Sequence, residues 1–185
     1  MATRHDANDT GKRRQHGLTL LELAIVVAIA AILAAAAVPS FTALIEARRL
    51  DGAATRLAAD IQFVRGEAIA RNRSLRLSVL AGTGASCWIV HSGAPADCRC
   101  SVADGAVCGG DAHAVKGVAL AAAERVGVTG NVGSIVFDPL HGTSTPTGTL
   151  RLTSARGRAV HHTVNVVGRV RSCSPEGAVP GYPPC

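Results

Sequence analysis

The stretch that decides the fold is RRQHGLTLLELAIVVAIAAILAAAAVPSF, residues 13–41. A basic run, Lys12, Arg13 and Arg14, ends at Gly17. An apolar run of 21 residues then extends from Leu18 to Val38, with Glu22 its only charge. As a helix rising about 1.5 Å per residue it would span roughly 30 Å, the thickness of a bilayer core. It is too long for the hydrophobic part of an ordinary secretory signal, although AAAAVPS could pass for a small-residue cleavage site. The basic flank predicts that the N-terminus stays in the cytoplasm and the rest of the chain lies across the membrane. A carboxylate inside such a segment costs on the order of 3 kcal/mol and calls for a partner.

Downstream of Pro39, which lacks an N–H and predicts a bend, a helical period resumes. Leu50, Ala54, Leu57, Ala58, Ile61, Val64 and Ala68 recur at three- and four-residue spacing, and Arg56/Asp60 and Glu67/Arg71 are i,i+4 pairs on the polar side. After Arg73 the period becomes two. Leu75, Leu77 and Val79 alternate with Arg76 and Ser78, and CWIVHS, SIVFDP, TLRLTS and VHHTVNVVGRV also read as strands. One long helix followed by strands predicts an α+β fold with an antiparallel sheet. Three Phe, one Trp and one Tyr in 185 residues leave the core to Ala, Val, Leu and Ile.

Six cysteines, Cys87, Cys98, Cys100, Cys108, Cys173 and Cys185, suit disulfides in an oxidising compartment. A bond between Cys173 and Cys185 would staple the Pro- and Gly-rich tail, leaving the other four to pair among themselves. Three of those lie in residues 92–113, which read as a long irregular loop. Zinc on Cys98, Cys100 and Cys108 with His91 or His113 is the competing reading, but their spacing matches no structural zinc motif. No G-x-S-x-G, H-E-x-x-H or P-loop is present, and His141, His161 and His162 are scattered, so no catalytic residue, cofactor or metal is expected.

The net charge is +6, and it is uneven. Arg151, Arg156, Arg158, Arg169 and Arg171 lie between Leu150 and Cys173 with no acid among them. On a strand, Arg169 and Arg171 share one side, and Gly168 lets the backbone turn or approach a ligand. Two guanidiniums on one face suit successive phosphates. They equally suit a solvated basic edge that deters aggregation.

The N-terminal stretch resembles the class III signal of type IV pilins and type II secretion pseudopilins. The resemblance implies that a prepilin peptidase cuts between Gly17 and Leu18 and that Leu18, in place of the usual Phe, is N-methylated. Glu22, the fifth mature residue, would then pair with the terminal amine of a neighbouring subunit during assembly. Gly168-Arg169-Val170-Arg171 resembles the GRxR motif of FimT-like minor pilins within the broader FimT and GspH family. This implies a pilin-like fold and a minor pilin that binds double-stranded DNA through its backbone in natural transformation. Arg169 and Arg171 would be central, with Arg151, Arg156, Arg158 and Lys116 in support. The alternatives are a GspH-like pseudopilin of a type II secretion system and a purely structural priming subunit.

The implied organisation is a cleaved leader at 1–17, a membrane and filament-core helix at 18–38 and an amphipathic half-helix at 39–73. A β-rich domain at 74–171 and a tail at 172–185 follow. The expected partners are other pilin subunits, the peptidase, DNA and the inner membrane. The domain would face the periplasm and then the cell surface.

Overall fold

A computed structural model describes residues 19–82, 85–101 and 105–185; of residues 37–39 and 82 only the backbone is described. Gly17 and Leu18 lie outside these residues. The elements in order are α1 (Leu20–Ala70), β1 (Leu75–Gly82), β2 (Ala85–His91), β3 (Cys98–Ser101), β4 (Gly105–Cys108), β5 (Ala114–Ala121), β6 (Val126–Gly130), β7 (Ser134–Phe137), β8 (Ser144–Thr145), β9 (Gly148–Ser154), β10 (Ala159–Val164) and β11 (Val170–Cys173). Short 3-10 turns occupy Ala122–Glu124 and Pro175–Gly177. The chain divides into two units between Phe41 and Thr42.

In the first unit, α1 starts where Thr19 caps it. The Thr19 hydroxyl accepts the Glu22 N–H at 3.2 Å, and the Thr19 carbonyl accepts from Leu23 at 3.1 Å. T-L-L-E is thus the sequence of a capping box, with Glu22 in the first turn, where the helix dipole favours an acid. Every residue from Leu20 to Ala36 is exposed, and the segment is long and apolar enough to cross a membrane. In a soluble domain such a face would need covering; in a bilayer it does not.

The second unit carries its own core. Leu50, Ala54, Leu57, Ile61, Val64 and Ala68 are completely buried along one stripe of α1, as their spacing predicts. They meet side chains from two antiparallel sheets, among them Leu77, Trp88 and Val118 of one and Val128, Leu152 and Val160 of the other. The first sheet has the order β5-β2-β1-β7-β8 and the second β11-β10-β9-β6. The fold is therefore α+β, one long helix packed on antiparallel sheets. The alternation of the second sheet is clean. Leu150 and Leu152 face the core, whereas Arg151 and Thr153 face solvent.

Several polar groups of α1 fasten separate parts of the chain. Glu46, nearly buried, accepts the Arg156 N–H at 2.9 Å and pairs with its guanidinium at 3.3 Å. Asp51 accepts from the Tyr182 hydroxyl at 3.0 Å. Asp60, also buried, accepts the Trp88 indole N–H at 2.7 Å and pairs with Lys116, whose ammonium lies 5.6 Å over the Phe63 ring. Arg65 donates from Nε to the Gly142 carbonyl at 3.1 Å.

Several expectations change. Asp60 is a buried acceptor paired with Lys116 rather than an exposed partner of Arg56, whereas Glu67 does pair with Arg71. Residues 92–113 hold the β3–β4 hairpin, because Cys98–Cys108 crosses its ladder and Cys87–Cys100 ties it to β2. VHHTVNVVGRV is not one strand. It is β10, a tight turn and the start of β11. Strands β5 and β6 were not anticipated. The tail is bound by Cys173–Cys185, as expected, but it also packs by the buried Val179 and the Tyr182–Asp51 bond.

Candidate nucleic-acid interface

The turn that splits β10 from β11 is built by Asn165 and Gly168. Gly168 donates its N–H to the Asn165 carbonyl at 2.9 Å, and Asn165 donates to the Arg169 carbonyl at 3.1 Å. The Asn165 side chain also accepts the Arg169 N–H at 2.9 Å. This is a three-residue hairpin loop, in which a left-handed residue follows the first turn. Gly168 is that residue, at φ +70°. A Cβ there would stand 2.8 Å from the Arg65 Cδ and 2.9 Å from the Gly142 carbonyl oxygen. Gly168 is buried, so its missing side chain admits the helix arginine from beneath rather than a ligand from outside. The adjoining loop is locked to the same turn. Ser144 donates its N–H to the Val166 carbonyl at 2.8 Å and its hydroxyl to the Asn165 carbonyl at 2.6 Å.

Closure of the hairpin at Asn165/Arg169 fixes the register: Val170 faces Val164, and Arg171 faces Thr163. Arg169 and Arg171 are both exposed and fall on the same face, about 7 Å apart along the chain. Arg151 reaches that face from β9, where it opposes His161 of β10 and Thr129 of β6. It lies two strands from Arg171 and two residues further along, about 12 Å away over the sheet. Strands β6, β9, β10 and β11 contain no Asp or Glu. Among the described residues, no hydrogen bond or ion pair engages the guanidinium of Arg151, Arg169 or Arg171. Burial, with Arg151 beside it, lowers the pKa of His161. The carboxylate on the adjoining loop, Asp138, accepts the Leu140 and His141 N–H groups at 3.0 and 2.8 Å, and those bonds lower its pKa.

Not every basic residue of the sequence reading joins this face. Arg156 and Arg158 sit on the β9–β10 turn, at the opposite end of the strands from Gly168. Arg156 is paired with Glu46, and Arg158 donates to the Ala43 carbonyl at 3.0 Å. Lys116 is on the other sheet, paired with Asp60. Arg65, which props the hairpin, was not singled out in the sequence, where it reads as one more solvated helix residue.

Among the described residues, two histidines are internal. His91 is buried; its Nδ1 meets the Ser92 carbonyl and its Nε2 the Ser78 hydroxyl, each at 2.8 Å, and burial lowers its pKa. His162 is buried with Nδ1 at 2.8 Å from the Ser172 hydroxyl, and burial pushes its pKa down to about 4. His161, Cys173 and Cys185 bring ligand-type atoms within 4.8 Å of one another, but the two sulfurs are bonded to each other. All six cysteines are paired, which leaves no thiolate for the zinc alternative.

This combination of an exposed apolar helix, an amphipathic continuation and a two-sheet domain defines a pilin-type subunit, and sequence comparison agrees. Residues 53–168 match the family model described as type II transport protein GspH, and residues 12–38 match the prokaryotic N-terminal methylation motif. The first match spans more than half of the chain, and the protein belongs to the GspH family of minor pilins and pseudopilins. Among solved structures the chain is similar to the minor pseudopilin EpsH from the type 2 secretion system of Vibrio cholerae. Identity is 12% and the TM-score 0.46, with 69% of this chain and 98% of that one covered. A comparison with curated proteins finds no match.

Proposed function

We propose that this minor pilin binds double-stranded DNA through the sugar–phosphate backbone, using the face that carries Arg151, Arg169 and Arg171. One observation carries the reading: three exposed guanidiniums, with no hydrogen bond or ion pair among the described residues, share a sheet face whose strands hold no Asp or Glu. Their spacings of about 7 and 12 Å fall within the range of duplex groove widths, about 6 to 12 Å. Phosphate contacts of this kind carry no sequence information. Three of them predict weak binding by one subunit, micromolar or poorer, with a log–log salt slope near −2.7. Copies along a filament would raise the avidity.

Assembly is part of the same proposal. A prepilin peptidase cleaves between Gly17 and Leu18, Leu18 is N-methylated, and Glu22 pairs with a neighbour's amine. The domain faces the periplasm and later the cell surface. The match of residues 12–38 to the methylation motif supports this. The second reading, a type II secretion pseudopilin without a nucleic-acid role, draws on the match of residues 53–168.

The deciding experiment is DNA titration of a fragment beginning at Thr42, wild type against Arg169→Gln/Arg171→Gln, by NMR and mobility shift at low and moderate salt. Salt-sensitive binding lost in the double variant, with the fold intact, supports the DNA reading. No binding at low salt, or binding indifferent to both arginines, moves the assignment to the secretion subunit or to a structural one.

A further inference from the structure

A second basic surface lies at the other end of the domain, and hydrogen bonds knit it from three segments. The first turns of the second unit, residues 42–49, supply Arg49 and, exposed on the outer side of the same turn, Arg48. The 3-10 turn supplies Arg125, and the β9–β10 turn supplies Arg156 and Arg158. Arg49 donates to the Ala123 carbonyl at 3.0 Å, and Ala155 donates to the Arg125 carbonyl at 2.9 Å. Arg156 contacts Thr42 at 3.3 Å, and Arg158 contacts Ala43. Five arginines thus meet two acids, Glu46 and Glu124, and Glu46 is nearly buried under Arg156. Two large apolar side chains, Leu44 and Ile45, are exposed on the same turns. A cleft of about 210 Å³ lies among Thr42, Ile45, Arg49, Glu124 and Arg125.

Chain length bounds how far this surface can lie from the membrane in an anchored subunit. Thr42 stands four positions beyond Val38, the end of the apolar run, and a chain spans at most roughly 3.5 Å per residue. Thr42 is therefore within roughly 14 Å of the edge of the hydrocarbon, inside or beside the headgroup layer. Arg156 and Arg158 touch Thr42 and Ala43, so they share that position. Guanidiniums next to exposed aliphatic side chains at this depth match a surface of anionic headgroups over acyl chains.

We propose that the surface formed by residues 42–49, 122–125 and 155–158 docks the domain on anionic phospholipid headgroups before the subunit is assembled. The proposal rests on the membrane-anchored reading of residues 18–38 and is independent of DNA binding at Arg169 and Arg171. It also accounts for basic residues that the candidate DNA face leaves out.

The test uses the full chain in lipid nanodiscs, of phosphatidylcholine alone or with phosphatidylglycerol, read by amide hydrogen exchange. Exchange across 42–49, 122–126 and 155–158 should slow in the anionic discs and recover at high salt. Each arginine contributes about fivefold to the association with an anionic surface. Arg48→Gln/Arg125→Gln, whose side chains make no hydrogen bond among the described residues, should abolish the protection with unchanged thermal unfolding. Arg169→Gln/Arg171→Gln should preserve it. Equal exchange in the two lipids, or protection indifferent to Arg48 and Arg125, overturns the proposal. Slowing by duplex DNA rather than by phosphatidylglycerol overturns it as well, and assigns the surface to nucleic acid. A chain that enters neither disc overturns the anchored reading and this proposal with it.

Discussion

Gly168 shows how much one missing side chain can decide. Its φ of +70° is the left-handed region, costly for a residue with a Cβ. The space a Cβ would fill is taken by Arg65 and the Gly142 carbonyl. Gly168→Ala should therefore cost about 2 kcal/mol in urea unfolding, from backbone strain and steric conflict together. It should weaken DNA binding as well, because Arg169 and Arg171 take their direction from this turn. His162 makes a separate prediction. Its folded-state pKa is about 4, below the ordinary value of 6.5. Above pH 6.5 both states are neutral and the residue adds no pH dependence. Below that, the unfolded chain takes a proton that the folded chain refuses, so stability falls until about pH 4. Between pH 7 and pH 5 the loss should be about 2 kcal/mol in denaturant titrations, and His162→Phe should flatten that segment of the profile.

At the scale of elements, the tail is the feature that invites perturbation. The Cys173–Cys185 bond closes a short loop, for which loop entropy suggests a stabilisation of about 3 kcal/mol. Cys173→Ser/Cys185→Ser should lose part of this, about 1–3 kcal/mol in chemical denaturation. The Tyr182–Asp51 bond and the buried Val179 should keep the tail docked, so limited proteolysis should still spare most of residues 174–185. Element boundaries were legible only in part. The α1 stripe, β1, β2, β7 and β9 follow from apolar period and β-branched content. The β10–β11 hairpin was missed because Val164, Val166 and Val170 sustain an apparent alternation, while the punctuation is a single Asn-x-x-Gly. Strands β5 and β6, AVKGVALA and VGVTG, are too rich in Gly and Ala to announce themselves. The β3–β4 hairpin is held by disulfides, a constraint that local propensity does not contain.

At the scale of the molecule, the basic charge divides into two surfaces with different fates. One ends at the GRVR hairpin, and the other gathers around Thr42. Duplex DNA binding by the fragment from Thr42 should thus show a salt slope set by about three phosphates. Arg151→Gln should reduce that slope by about one, whereas Lys116→Gln should leave it unchanged. An unchanged slope for Arg151→Gln in filter binding would remove that residue from the site. Composition showed the excess of arginine but not its partition, because pairing with buried carboxylates on a distant helix is a tertiary fact. The membrane-type segment, the α+β class and the candidate arginines could all be read directly. Arg65, which holds two of those arginines in place, could not.

The polar fastenings along α1 have a mechanical consequence. Glu46, Asp51, Asp60 and Arg65 span 20 residues, about 28 Å of helix, and each grips a different part of the chain. A pull directed along that helix, as in a filament under tension, meets several attachments loaded in parallel by shear. None can be peeled open without straining the others. A load on the domain is then borne by the whole unit at once, and the part that yields first should lie outside it.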